Sequence, residues 1–109
     1  MSKYEHLPRG DLLPRDVIWD PANLQHVIYD HAERKLSVAE VEEAMVDPAR
    51  LDIEDPDRGS LTSIGATQGG RLLFVACIRR PEGLYPIHAR DAGKRKRKDY
   101  DEAKDKSGN

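Results

Sequence analysis

Residues Pro86 to Tyr100, P-I-H-A-R-D-A-G-K-R-K-R-K-D-Y, hold the residue types in this chain best suited to chemistry. His88 and Arg90 stand two apart, so on an extended backbone both side chains leave one face, with Leu84 and Pro86 beside them and Tyr85, Ile87 and Ala89 opposite. Asp91 stands where a helix N-cap would, able to accept backbone N–H groups left unpaired by a first turn. On the helix that follows, Lys94, Arg95, Lys96, Arg97 and Lys98 are five consecutive cations, closed by Tyr100. Like charges in water repel one another, which makes phosphate the natural counter-charge. A solvated basic helix face is the alternative for the same run.

His88, Arg90, Lys94 and Arg95 form the more compact cluster, and its chemistry suits RNA cleavage without a metal. A 2′-hydroxyl attacks the adjacent phosphodiester, cations stabilise the pentacoordinate phosphorane, and one group gives a proton to the leaving 5′-oxygen. Arginine meets phosphate with two parallel donors and lysine as a point charge, while His88 or Tyr100 could move protons. Lys96, Arg97 and Lys98 ride further along the helix and are expected to bind RNA. No cofactor is implied. His26 and His31 are five apart, which on a regular helix places them more than about 100° apart around the axis, so no metal site is expected.

The elements that must position these groups are readable in outline. Val17-Ile18-Trp19 is a short strand candidate, and Asp20-Pro21 is a helix start, an acidic cap with proline at the first helical position. Leu24, Val27, Ile28 and His31 then mark one helical face. Ser37 followed by Glu40 is a capping box, predicting a second helix from about Val38 to Val46 with Val38, Val41 and Met45 as its apolar stripe. After a possible edge strand at Leu51 to Ile53, strands are predicted at Leu61 to Thr67, Arg71 to Ile78 and Leu84 to Arg90. Short glycine-containing loops join them, so the sheet reads as an antiparallel meander. The run Leu72 to Ile78 is apolar without alternation, as in a central strand, and the helices are expected on one face. The fold class is therefore α+β: a meander of three to four strands, two N-terminal helices and a basic C-terminal helix.

Length and composition bound the rest. At 109 residues the chain makes one domain, and 38% hydrophobic against 35% charged residues means a thin core under a busy surface. The net charge of −2 conceals an asymmetry: residues 1–57 carry net −8, residues 58–98 net +8 and residues 99–109 net −2. An acidic half can shield the basic half or dock a basic partner. A lone cysteine, Cys77 in an apolar run, reads as a buried thiol. With no leader pattern and no apolar run of membrane-spanning length, a cytoplasmic location is expected. Residues 1–16 read as a loose arm, 17–103 as the folded domain, and 104–109 as a flexible tail.

Several stretches together resemble the BrnT family of ribonuclease toxins from type II toxin–antitoxin systems. They are I-W-D-P-A-N-L-x-H (18–26), His31, L-S-V-A-E-V-E-E-A-M-x-D-P (36–48), the segment 65–75, and residues 86–100. The resemblance covers about residues 17–103, and the arginine, cationic pair and tyrosine of the last segment are its most specific part. It implies a RelE-like fold, an endoribonuclease activity, and a ribbon-helix-helix antitoxin that binds the toxin in a hetero-oligomer and represses the shared operon. The functional positions it implies are Arg79 or Arg80, Arg90, and Lys94 with Arg95, together with Tyr100. In an antiparallel meander Arg79 and Arg80 begin at the opposite end of the strand pair from Arg90, so a single compact site need not hold them all. The chain departs from the family pattern at His31-Ala32-Glu33, in its longer arm, and in the lack of an acidic residue among Lys94 to Lys98. Two other readings of the same cations are a non-catalytic nucleic-acid-binding module and a partner-binding domain that meets no nucleic acid.

Overall fold

A computed structural model describes residues 16–107 of the chain. Four strands, β1 (Leu51–Asp55), β2 (Ser60–Ala66), β3 (Leu72–Arg80) and β4 (Gly83–Asp91), form one antiparallel sheet in sequence order. Three α-helical elements accompany it: α1 (Pro21–Asn23), α2 (Val38–Met45) and α3 (Lys94–Ser107). The fold is thus α+β, with the meander expected from the hairpin loops and β1 as a full edge strand. The expected arm lies almost wholly outside the described residues. Residues 104–107, expected to begin a flexible tail, continue α3, and residues 108–109 of that tail lie outside the described residues.

The local signals at the helix starts act as their chemistry requires. Asp20 caps α1, its carboxylate accepting from the Asn23 amide at 2.9 Å while the Asn23 side chain accepts from the Asp20 amide. Ser37 and Glu40 make the same reciprocal exchange at α2, satisfying donors that the first turn leaves unpaired. From α2, Val41, Ala44 and Met45 are buried, joining Val27, Leu61, Leu73, Val75, Cys77, Leu84 and Ala89 in the main core. Trp19 packs on its edge and donates its indole N–H to Glu42 at 2.8 Å.

Alternation sends the other half of β2 and β3 to the opposite face, and there the expectation of one helical layer fails. Ile64, Leu72 and Tyr100 make a second cluster, with Leu51 and Phe74 packed against it, so α3 lies on the far side of the sheet from α2. The basic helix carries an apolar anchor, and the sheet face left bare by α2 is where that anchor is buried.

Close approach between α2 and the sheet depends on Gly65, where a Cβ would overlap the Ala44 carbonyl oxygen. Both atoms of that clash belong to regular elements with no room to yield. Gly65→Ala is expected to destabilise the fold by about 3 kcal/mol, read as a lower denaturant midpoint at unchanged slope. Gly83, at φ +153°, brings β4 against the Asp16 carbonyl, which accepts from the Leu84 amide at 2.8 Å. Val17 there makes an isolated parallel bridge to Leu84, in place of the expected short strand.

Candidate active site

β4 does not alternate evenly. Ala76 pairs with His88 while Cys77 pairs with Pro86, leaving Ile87 as an extra residue. Proline has no N–H to give the ladder, and a bulge is one of the few places a sheet accepts it. The bulge inverts part of the expected parity. Leu84, Pro86 and Ala89 turn to the α2 side and are buried, while Tyr85, His88 and Arg90 face the α3 side. His88 and Arg90 do share a face, but Pro86 is not on it.

On that face Phe74 organises both groups. The Arg90 guanidinium lies 4.4 Å from the Phe74 ring centroid, and the His88 ring meets the same ring edge-on at 6.2 Å. Arg90 also donates to the Asp91 carbonyl at 3.2 Å. A cation seated on an aromatic face keeps its N–H edges for an incoming anion while losing freedom to wander. The His88 imidazole is held below its ordinary value of 6.5, first by burial and then by the charges of Arg34, Arg90, His31 and His26. It is therefore neutral at pH 7, the form that accepts a proton.

The outer edge of β4 is held at two points. Asn23 donates to the Pro86 carbonyl and to the Ile18 carbonyl, both at 3.0 Å, and Arg34 donates to the Ala89 carbonyl at 3.1 Å. Between these anchors the chain winds as a π-helix over Leu24–Tyr29, where a regular helix was expected, and then as a 3-10 turn over Ala32–Arg34. The i→i+5 winding, seen in the Asp30 amide bonded to the Gln25 carbonyl at 2.7 Å, changes the relation of His26 to His31. Their rings sit 6.0 Å apart, edge to face, and not on divergent sides. Among the described residues no group of three or more histidine, cysteine, aspartate and glutamate side chains is arranged to hold a metal ion.

Arg71 fixes the frame from the other side. Its guanidinium binds both oxygens of Asp91, at 2.6 and 3.1 Å, and donates to the carbonyls of Lys35 and Arg34, with Glu40 3.5 Å away. Asp91 therefore ends β4 in an ion pair instead of capping α3, and Arg71 holds its carboxyl below the usual range. The α3 turn is closed by the Arg97 amide on the Gly93 carbonyl.

Of the cation run, Lys94, Arg95, Arg97 and Lys98 are exposed and Lys96 is half-buried. Among the described residues none of the five pairs with a carboxylate. Tyr100 is not available for chemistry. It is buried, its hydroxyl donates to Asp47 at 2.6 Å, and burial followed by that carboxylate pushes the phenol well above its ordinary value of 10. Arg79 is likewise excluded from the cluster. It lies on the α2 face, bound to Glu54, because strand parity separates it from Arg80. Arg80 shares the face of Arg90 but stands six residues along β3 from Phe74, about 20 Å away. There it stacks 3.7 Å over Tyr85, whose hydroxyl donates to Asp20.

Arg34, Arg71, Asn23 and Phe74 thus position the site without any local signal in the sequence, since each acts through a partner more than 15 residues away. Compared with known proteins, the chain matches no family model and no curated protein sequence. No described helix is long and apolar enough to cross a membrane.

Proposed function

We propose that this protein is a metal-independent endoribonuclease of the BrnT kind, with a RelE-like fold, acting as a toxin held inactive by a ribbon-helix-helix antitoxin. The observation that carries the reading is the seating of His88 and Arg90 on one Phe74 ring, followed in the chain by five cations at the start of α3 that pair with no carboxylate among the described residues. Neutral His88 takes the proton from a 2′-hydroxyl as that oxygen bonds to phosphorus. Arg90, with Lys94 and Arg95 beginning the adjacent helix, meets the charge that grows on the non-bridging oxygens. Arg97 and Lys98 hold the flanking backbone and Lys96 contributes from a partly covered position. An antitoxin neutralises such a site by laying an acidic or apolar segment across these cations.

Purified protein incubated with RNA in EDTA tests the reading. Fragments ending in 2′,3′-cyclic phosphate and 5′-hydroxyl are expected, with a rate that rises with pH through a His88 value below 6.5. Intact RNA that nonetheless binds with a steep salt dependence would instead mark a non-catalytic nucleic-acid-binding module.

A further inference from the structure

Resting on that reading, we propose that His31 is a second catalytic residue, the acid that protonates the leaving 5′-oxygen across the phosphodiester from His88.

The placement follows from the two anchors on the β4 edge. Asn23 ties the start of the π-helix to Pro86, and Arg34 ties the end of the following turn to Ala89. His26 and His31 lie between those tethers in sequence, and the β4 segment spanned by the tethers, 86–89, contains His88. The same windings bring the two rings to 6.0 Å. His31 Nδ1 sits 3.6 Å from a Glu33 carboxylate oxygen, which leaves Nε2 for a ligand, and the side chain is 32% exposed. His26 packs its ring against His31 and restricts the ring's tilt, a positioning role. Arg34, three residues on, fixes a guanidinium at the carbonyl of Ala89, the residue between His88 and Arg90 in the chain.

One imidazole alone leaves the reaction incomplete. As the 2′-oxygen bonds to phosphorus, its proton passes to neutral His88. As the bond from phosphorus to the 5′-oxygen breaks, that oxygen leaves as an alkoxide unless a proton meets it. The cations of α3 are already assigned to the charge that grows on the non-bridging oxygens. Tyr100 is buried against Asp47. His31 lies in the chain between the two tethers on the β4 edge, stands close enough for its charge to act on His88, and has a carboxylate at Nδ1. Products are a 2′,3′-cyclic phosphate and a 5′-hydroxyl, with the His88 proton returned to solvent and His31 reprotonated from it.

The test compares two substrates under single-turnover conditions in EDTA: an RNA oligonucleotide, and a nucleoside 3′-(4-nitrophenyl phosphate), whose phenolate leaves without protonation. His31→Gln is expected to slow RNA cleavage by at least about a hundredfold while its loss on the aryl ester is at least about tenfold smaller, with RNA affinity near the parent's. His88→Gln, which removes the base, is expected to lose comparably on both. A His31→Gln protein that cleaves RNA at the parent rate, or that loses equally on both substrates, overturns the assignment while leaving the ribonuclease reading intact. A parent protein that cleaves neither substrate overturns the ribonuclease reading and this assignment with it. His31→Asn carries the same comparison if the glutamine variant does not fold.

Discussion

Arg90→Ala is expected to lower single-turnover RNA cleavage by at least about a hundredfold, the usual cost of losing one preorganised donor, while changing RNA affinity little. Arg90 lies one residue from the end of a strand that is paired to β3 on one side and tethered by Arg34 on the other, and its guanidinium rests on Phe74. Its position is set before substrate arrives. A donor so fixed contributes most where charge grows, so its loss falls on the transition state. Lys98→Ala and Arg97→Ala should do the reverse if, as proposed, these exposed side chains serve only to neutralise phosphate: weaker binding, a shallower salt slope, and near-parental cleavage at saturating RNA. Phe74→Leu separates seat from charge. It keeps Arg90 and an apolar side chain against the second cluster but removes the aromatic face, and an intermediate loss of rate at normal affinity is expected. Cleavage by Arg90→Ala at the parent rate would remove Arg90 from the site.

The contrast between what the sequence disclosed and what it hid follows the range of the interactions. Asp20-Pro21 and Ser37 with Glu40 mark their helix starts because a cap bonds residues three apart, a distance written into the chain. The meander was legible for the same reason, its hairpins being local. The bulge at Ile87 was not, although Pro86 hinted at it, and one extra residue was enough to exchange the faces of Pro86 and its neighbours. Nor did residues 24–29 carry a signal for the wider π winding, which turned two histidines read as divergent into a pair. Arg71 and Asp47 were invisible as hubs. Each draws together segments far apart in sequence through backbone amides or carbonyls, and no spacing records which side chain will do that.

Phe74 shows the same limit from another side. In the run Leu72 to Ile78 it reads as one more apolar residue of a central strand, and β3 is indeed flanked on both sides by β2 and β4. Only the pairing of Phe74 with Arg90 turns it into the seat of the candidate site. The basic run, by contrast, was fully legible as charge, because α3 exposes four of its five cations. Its position over the second face of the sheet was not, since that is decided by a residue after the run.

That residue carries the second large expectation: Tyr100→Ala should release α3 from the sheet at a cost of about 3–5 kcal/mol, the range for removing a large buried aromatic side chain. Among the described residues Tyr100 is the α3 side chain buried in a core cluster. The helix's five cations crowd its N-terminal turns, against the helix dipole, and fourteen residues are marginal for a free helix in water. Tyr100 fills the space against Ile64 and Leu72 and donates a hydrogen bond from its hydroxyl to Asp47, whose carboxylate also accepts from the Ala66 and Ala49 amides. One side chain therefore ties α3 to the end of β2 and to the loop after α2. In Tyr100→Ala the amides of α3 should exchange with solvent as in an open chain while those of β3 stay protected. Tyr100→Phe, which keeps the ring, should cost only about 1 kcal/mol, because Asp47 retains its backbone donors. The phenol's pKa is raised by folding, so its contribution is present below pH 10 and fades as pH climbs through the higher folded value; α3 of the parent should stay docked across the neutral and mildly alkaline range. Protection of the α3 amides in Tyr100→Ala equal to the parent's would show that the helix is held by contacts other than this anchor.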